Sequence, residues 1–240
     1  MSKVAVVTGG VRGIGRGISI ALKQAEYTVI AIYQSNDVYA QDLYNTYGIH
    51  SLKFDVSDFK ACETAINVIK EKYGPIEILV NNAGVTQDAV LHKMSLEQWN
   101  TVIRINLDSV FNMCRLVIED MRAAEFGRII NISSVNAQKG QAGQTNYCAT
   151  KAGVLGFTKA LALETSGKGI TVNAIAPGYI DTDMVRAMPE TILEKIISLI
   201  PMRRLGTVDE IAKMVQYLAS TEAGYITGST INLNGGQYMA

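Results

Sequence analysis

The segment from Ser134 to Lys151, SVNAQKGQAGQTNYCATK, holds three side chains that can take part in one proton transfer. Tyr147 and Lys151 are four residues apart, so on a helix their side chains project from the same face. A free tyrosine has a pKa near ~10, and we expect the neighbouring lysine ammonium to lower it. Ser134 supplies a hydroxyl that can bind a carbonyl oxygen. The spacing therefore indicates general acid catalysis at a carbonyl group.

A glycine-rich segment, TGGVRGIG from Thr8 to Gly15, lies between a short apolar strand and a helical pattern. Gly9, Gly13 and Gly15 let the main chain approach a pyrophosphate closely. The helix N-terminus adds free N–H groups and the positive end of the helix dipole. The spacing G-x-x-x-G-x-G differs from the usual fingerprint, but its place at the start of a strand–helix series predicts a dinucleotide site.

The residues after the second strand bear on which nicotinamide cofactor is bound. That strand ends in IYQS, without a carboxylate to accept from the adenosine ribose hydroxyl. Asp37 falls in the following loop, where we interpret it as a solvated helix cap. Arg12, inside the glycine loop, can pair with a 2′-phosphate. We therefore expect NADP(H) rather than NAD(H), although Arg12 as a plain surface charge is the alternative.

Two further strand ends carry residues suited to an adenosine. Asp55, followed by Val56, ends the third strand and is expected to accept from the adenine amino group; its alternative is a helix cap before SDFK. Asn81-Asn82-Ala83-Gly84 ends the fourth strand. Its small residues and amides permit close approach of the adenosine ribose, or they simply turn the chain.

Strands and helical segments alternate along the chain, which predicts an α/β fold with a doubly wound, seven-stranded parallel sheet. No linker or internal repeat interrupts this order, so we expect one domain over residues 1–240. The predicted strands are Lys3–Thr8, Thr28–Tyr33, His50–Val56, Glu77–Asn81, Arg128–Ser133, Thr171–Ala176 and Ser229–Leu233. Four helices are predicted. Two of them begin at Ser57-Asp58 and near Ser95, and the other two span Tyr147–Thr165 and Val208–Ala219.

Composition excludes several classes of partner. The 240 residues are 48% hydrophobic, and Lys plus Arg equals Asp plus Glu at 22 each, so no overall field attracts nucleic acid or an anionic membrane. Three scattered cysteines show no metal-like spacing, and we expect reduced thiols and no metal. A signal peptide and a membrane-spanning run are both lacking, which indicates a cytoplasmic protein.

Two predicted helices are apolar on more than one side, which favours a second buried surface in another subunit. Residues 152–163 are nearly all small or apolar. In Leu107–Met121, Met113 and Leu116 lie off the main stripe. That stripe contains Leu107, Val110, Phe111, Cys114, Val117, Ile118 and Met121. Deep burial within one chain is the alternative.

Together these motifs resemble the classical short-chain dehydrogenases/reductases, over essentially all 240 residues. The shared features are Thr8–Gly15, Asn81–Gly84, Asn106, the Ser134/Tyr147/Lys151 set, and Pro177-Gly178 followed by Thr182. The resemblance implies a Rossmann fold and a catalytic tetrad. Tyr147 would donate the proton and Ser134 would position the carbonyl. Asn106 would hold a backbone kink and a water that relays protons to Lys151, which would also bind the nicotinamide ribose.

The motifs and the resemblance together give a predicted set of cofactor residues. Ile180 and Thr182 would reach the carboxamide, whereas Ser133 is assigned to the strand. The full set is Gly9, Arg12, Gly13, Ile14, Gly15, Tyr33, Asp55, Val56, Asn82, Ala83, Gly84, Tyr147, Lys151, Pro177, Gly178, Ile180 and Thr182.

Within the family, SSVNAQKGQAGQTNY, NNAGVTQDAVLHKMS, PGYIDTDMV and LNGGQYMA resemble the bacterial acetoacetyl-CoA reductases of polyhydroxybutyrate synthesis. This implies NADPH-dependent reduction of acetoacetyl-CoA to (R)-3-hydroxybutyryl-CoA by a homotetramer. The alternative is a 3-oxoacyl-(acyl-carrier-protein) reductase, with Arg128 and Lys168 in a docking patch for the carrier. The implied substrate residues are Asp88, Lys93, Gln141, Gln144 and Tyr179.

Two other expectations concern the lid and catalysis itself. Residues 178–205 contain an amphipathic helix, which we expect to close over the thioester; packing within a tetramer is the alternative.

A redox-sensing module that holds NADP(H) without turnover is a different class of function. Such modules often lose the catalytic tyrosine or lysine, and Tyr147 and Lys151 are both present here.

Overall fold

A seven-stranded, wholly parallel sheet forms the centre of the computed structural model, which describes residues 2–239. The prediction of a doubly wound parallel sheet is therefore confirmed. The strand order is β3-β2-β1-β4-β5-β6-β7. The strands are β1 Val4–Thr8, β2 Thr28–Tyr33, β3 His50–Lys53, β4 Ile76–Asn81, β5 Gly127–Ile132, β6 Ile170–Pro177 and β7 Thr230–Leu233.

Ten α-helices of residues 2–239 connect and cover these strands. They are α1 Gly13–Gln24, α2 Asp37–Tyr47, α3 Phe59–Tyr73, α4 Leu96–Ile103, α5 Ser109–Ala124, α6 Asn136–Lys139, α7 Thr145–Thr165, α8 Asp183–Arg186, α9 Glu190–Leu199 and α10 Val208–Ala219. A π-helical segment, Arg104–Asp108, joins α4 to α5, and 3-10 turns occupy Leu91–Lys93 and Ser166–Lys168. Within this range, no helix is both long and apolar enough to span a bilayer.

The strand order places a crevice between β1 and β4. The chain builds outward from β1 to β3, then returns to the other side of β1 and builds outward from β4 to β7. The connections leave β1 and β4 in opposite directions, so their carboxyl ends are not covered by a crossing helix. Because β1, β5 and β6 are buried at every position, the crevice has a rigid floor.

Two apolar cores lie on opposite faces of the sheet. On one face α1 and α10 pack against it with Ile18, Leu22, Ile211 and Val215. On the other face α3, α5 and α7 contribute the second core, including Ile66, Ile69, Met113, Val117 and Val154. Each helix thus buries one stripe against the sheet, as its sequence period requires.

The buried stripe of α5 differs from the predicted one. Met113, placed off the stripe by sequence, is fully buried, whereas Phe111 is 52% exposed. On α7, Leu163 is 85% exposed. A π-helical segment precedes α5, and its wider turn changes the angular positions of side chains relative to a regular helical period.

Close packing between α1 and α10 gives a stability prediction. Gly17→Ala should favour the helix by about 1 kcal/mol, but its new Cβ would collide with Cγ1 of Val208. Overpacking costs about 1–3 kcal/mol, so we expect a lower free energy of unfolding in urea. Adding Val208→Ala should restore part of the loss. A Gly17→Ala protein that is more stable than the wild type would contradict this contact.

Candidate active site

A cleft of about 440 Å³ opens at the carboxyl ends of the central strands. Its walls are the glycine loop after β1, the ends of β2 to β6, and the first turns of α7. In open α/β sheets this crevice is where ligands bind. Ser134, Tyr147 and Lys151, the side chains predicted to transfer a proton, therefore lie in the lining of this cleft.

Most residues predicted to hold the cofactor line this cleft. Ile180 is the exception, because its side chain is buried in the core beside Gly206 and offers the cleft no surface. The predicted residues in the lining are Gly9, Arg12, Gly13, Ile14, Gly15, Tyr33, Asp55, Val56, Asn82, Ala83, Gly84, Tyr147, Lys151, Pro177, Gly178 and Thr182.

The glycine loop has the shape that a pyrophosphate requires. Gly9 and Gly13 have φ values of +63° and +50°, which glycine adopts without strain. A Cβ on Gly15 would lie 2.5 Å from Nδ2 of Asn82, so a side chain would fill the cradle. In the described residues, α1 has neither a side-chain cap nor an acidic first turn, so its first N–H groups remain available to an anion. These features fit a dinucleotide.

A hydrogen-bond network ties the glycine loop to the end of β4. The Thr8 hydroxyl accepts from the backbone N–H groups of Asn82 and Ala83 at 2.9 and 3.0 Å. Asn82 in turn donates its side-chain amide to the Thr8 carbonyl at 2.9 Å. The Asn-Asn-Ala-Gly motif therefore does more than turn the chain, because it joins the two strands that flank the crevice.

The carboxylate of Asp37 is not a helix cap, contrary to the sequence interpretation. Asn36 caps α2 by accepting from the Tyr39 N–H, and Asp37 is the first helical residue. Asp37 instead pairs with Lys53 at 2.9 Å and accepts from the Tyr33 hydroxyl at 3.1 Å. The Lys53 ammonium, with help from Tyr33, lowers the pKa of Asp37. The carboxylate is therefore already engaged beside the cleft.

Asp55 also differs from the cap considered for it. Asp58 caps α3, accepting from the N–H groups of Lys60 and Ala61. The Asp55 carboxylate accepts from the Ser57 N–H at 2.8 Å and from the Gln34 amide at 3.0 Å. Gln34 and Asp55 thus form a polar wall at this end of the cleft, and the adenine contact of Asp55 stays a prediction.

Lys151 lies at the inner end of the cleft, where the last residue of β5 bonds its side chain and the next residue bonds its backbone. Its ammonium donates to the Ile132 carbonyl at 2.8 Å, and its backbone carbonyl accepts from the Ser133 hydroxyl at 2.8 Å. Burial lowers the pKa of Lys151 to about 8. Ser133, which sequence analysis assigned only to the strand, is therefore one reason why the lysine has a defined position.

Asn106 sits beside this lysine in the π segment Arg104–Asp108. Its side chain accepts from the Val85 N–H at 2.8 Å and donates to the Val85 carbonyl at 2.9 Å. A Cβ on Gly84 would lie 3.3 Å from Oδ1 of Asn106 and 3.4 Å from Nζ of Lys151. A Cβ here would press on both groups, so the glycine helps the loop, the asparagine and the ammonium to approach closely.

The expected lowering of the Tyr147 pKa is wrong for this structure. Desolvation raises the pKa of Tyr147, and the Ser134 hydrogen bond opposes that effect only in part. Cys148 and Asp88 raise the pKa further. The Lys151 ammonium is 5.8 Å from the Tyr147 ring centroid. The phenol consequently keeps its proton at neutral pH, as a proton donor should, and the ammonium is near enough to stabilise the phenolate that forms.

The five predicted substrate residues are only partly brought together. Gln144 donates to Asp88 at 2.8 Å and accepts from Asn136 at 2.9 Å, and the Asn136 N–H donates to the Ser134 hydroxyl at 3.1 Å. Asp88 and Gln144 therefore connect to Ser134 through Asn136.

Of the other three predicted substrate residues, Gln141 lies in the same turn as Gln144, whose N–H donates to its carbonyl at 3.1 Å. Lys93 and Gln141 are exposed at the surface. Tyr179 lines a separate cavity of about 600 Å³ beside α10 and β7. The direction in which the chain leaves β6 decides the placement of Tyr179, and the sequence pattern carries no signal for that direction.

Sequence analysis missed several lining residues. Those directly after a strand, such as Gln34 and Phe54, could have been found because every parallel strand ends at this edge. Tyr39 and Asp183 reach the cleft from helices and have no such signal. The missed set is Val11, Ile32, Gln34, Ser35, Tyr39, Phe54, Val85, Thr86, Ile105, Ile132, Ser133 and Asp183.

Comparison with known proteins agrees with this site. A family model described as enoyl-(acyl carrier protein) reductase matches residues 9–237. The chain is 59% identical to an acetoacetyl-CoA reductase of Shinella zoogloeoides and 57% identical to one of Rhizobium meliloti (strain 1021), with 100% of each chain covered. It is 45% identical to a 3-oxoacyl-(acyl-carrier-protein) reductase of Haemophilus influenzae, with 99% of each chain covered.

Fold, cleft and relatives together define the class: a Rossmann-type oxidoreductase that uses a nicotinamide cofactor. More narrowly, the chain belongs to the short-chain dehydrogenase/reductase family.

The buried Lys151 ammonium predicts a pH dependence of stability. Below pH 8 the Lys151 amine is charged in both the folded and the unfolded protein, and burial of this charge destabilises the folded state. Above pH 8 the folded protein loses the Lys151 proton before the unfolded protein does, because burial lowers the pKa of Lys151 from 10.5 to about 8. Relative to Lys151→Met, the free energy of unfolding of the wild type should therefore rise by about 2 kcal/mol between about pH 7 and 9.5. Urea unfolding across this range measures it, and parallel pH curves would contradict it.

Proposed function

We propose that this chain reduces acetoacetyl-CoA to (R)-3-hydroxybutyryl-CoA with NADPH, supplying precursor for polyhydroxybutyrate. The observation that carries the proposal is the meeting of Ser134, Tyr147 and Lys151 at the inner end of a dinucleotide-shaped cleft. The full-length similarity to acetoacetyl-CoA reductases, at 59% and 57% identity, supports the choice of substrate.

The chain's own residues perform the proton half of this reaction. A nicotinamide cofactor held in the cleft would supply the hydride for reduction of C3 of the β-ketoacyl thioester. The Tyr147 phenol donates its proton to the C3 oxygen, which the Ser134 hydroxyl orients. The Lys151 ammonium, directed by the Ile132 carbonyl, stabilises the resulting phenolate. The negative charge that develops during the reduction therefore lies next to hydrogen-bond donors, Ser134 and Lys151, that are already in position.

The charges at the adenosine end support NADPH over NADH. Arg12 is exposed in the cleft lining. Asp37, the acid that follows β2 and was considered for the ribose hydroxyl, pairs with Lys53. A 2′-phosphate near Arg12 would gain a charge-assisted hydrogen bond without meeting an unpaired carboxylate.

The contacts of Arg128 favour CoA over a carrier protein. Arg128 was considered for a docking patch, but it is 4% exposed and donates to the carbonyls of Ser220, Gly127 and Gly169. That interpretation is wrong, because the guanidinium stabilises the fold. Lys168 pairs with Glu125 at 3.1 Å. The proposed patch therefore lacks its main cation.

We also propose the predicted homotetramer and the lid. Exposed Phe111 on α5 and Leu163 on α7 are apolar side chains that a partner subunit would cover. In the proposed lid, residues 178–205, α9 has exposed Ile192 and Leu199 and no fully buried residue, so few contacts oppose its movement.

Substitution of the proton donor tests the chemistry. With acetoacetyl-CoA, Tyr147→Phe should lower kcat at least about 100-fold, because the phenol is the general acid. The Kd for NADPH, measured by fluorescence titration, should stay within about twofold. Retained turnover in the variant would contradict the proposed role.

Faster NADPH oxidation by the wild type with acetoacetyl-carrier protein than with acetoacetyl-CoA would favour the alternative substrate.

Arg12→Gln tests the cofactor choice. Removing one charged partner of the 2′-phosphate should raise KM for NADPH roughly tenfold and leave KM for NADH nearly unchanged. Arg16→Gln is the matched control, since Arg16 lies four residues further along, on α1, and pairs with Asp42. Equal changes for both cofactors in Arg12→Gln would count against a phosphate contact.

A further inference from the structure

Three consecutive residues of the loop after β4 are bonded to the turn that begins α7. The Ala89 N–H donates to the Gly143 carbonyl at 2.9 Å. The Gln144 amide donates to the Asp88 carboxylate at 2.8 Å, and the Asn146 amide donates to the Gln87 carbonyl at 3.0 Å. We call these three bonds between residues 87–89 and 143–146 the clasp.

Asn146 is the buried member of the clasp, with a relative exposure of 0%. Besides the Gln87 carbonyl, its Nδ2 donates to the Gln98 carbonyl of α4 at 3.4 Å. Its Oδ1 accepts from the N–H of Tyr147, the next residue, at 2.8 Å. One side chain therefore bonds the proton donor's own backbone, the loop and a neighbouring helix.

The same loop is held at its other end by Asn106, which bonds both main-chain groups of Val85. The segment 85–89 is thus fixed at two points, one beside Lys151 and one beside Tyr147. Asp88, a proposed substrate residue, belongs to the clasp itself. The loop and the catalytic helix have little freedom to move relative to each other.

We propose that Asn146 is a positioning residue for the reduction, setting the distance between the substrate loop and the Tyr147 phenol without touching the substrate. The inference rests on the proposed function for its reaction. Proton transfer needs the donor and acceptor atoms within about 2.6–3.2 Å of each other. A displacement of about 1 Å away from the chemistry can cost about 100-fold in rate.

Asn146→Asp tests this role with almost no change in shape. It keeps an acceptor for the Tyr147 N–H but places an oxygen against the Gln87 and Gln98 carbonyls. We expect kcat with acetoacetyl-CoA to fall by about 10- to 100-fold, while the Kd for NADPH stays within about twofold. An unchanged kcat would overturn the proposal.

Asn173→Asp is the matched control. Asn173, on β6, is 1% exposed, donates to the Ile226 carbonyl at 2.7 Å and accepts from the Ser229 N–H at 3.1 Å. It carries the same kind of bonds but does not line the cleft. Its aspartate variant should keep kcat within about twofold. Equal losses of kcat in both variants would show a general cost of buried charge and overturn the positioning role.

Hydrogen exchange tests the clasp in the wild type, even if Asn146→Asp fails to fold. The Ala89 N–H should exchange slowly because Gly143 accepts from it, and exchange in 85–91 should accelerate in the folded variant. Exchange at Ala89 as fast as in an unstructured peptide would overturn the proposal. If the wild type reduces neither β-ketoacyl thioester, the proposed function fails separately, and exchange at Ala89 still decides whether the clasp exists.

Discussion

A buried ammonium at the carboxyl end of β5 is the constraint on which the site depends. Removing a charge from water is costly, and here one short bond from Lys151 to the Ile132 carbonyl offsets part of that cost. The pKa of the lysine falls to about 8, low for a lysine but still above neutral. The protein can thus hold a positive charge beside the phenol, yet only if the surrounding backbone stays in place.

The surrounding structure supplies that rigidity through polar contacts in a mostly apolar interior. The Ser133 hydroxyl fixes the helix carrying Lys151, Asn106 fixes Val85, and Thr8 joins β1 to the end of β4. Each of these polar side chains has a partner, so the network costs little and specifies one arrangement. The cleft is consequently a preformed feature of the sheet edge.

The sequence predicted the fold and the main members of the site well, for identifiable reasons. β-branched runs alternating with helical periods leave few alternatives to a parallel sheet, and Val208–Ala219 was predicted with its observed bounds. Tyr147 and Lys151 share a face because their spacing is local to one helix. By contrast, Tyr179 and Ile180 were assigned to ligands although they face another cavity and the core. Their direction depends on how the chain leaves β6.

Residue types and local spacing by themselves determined the strand–helix order, the glycine loop and the tyrosine–lysine pair, because these depend on contacts between near neighbours in the chain. Only the tertiary structure decided the pKa of Tyr147, the burial of Arg128 and the partner of Asp37. Desolvation and ion pairing depend on groups far away in sequence, and no local pattern records how much water the folded protein excludes.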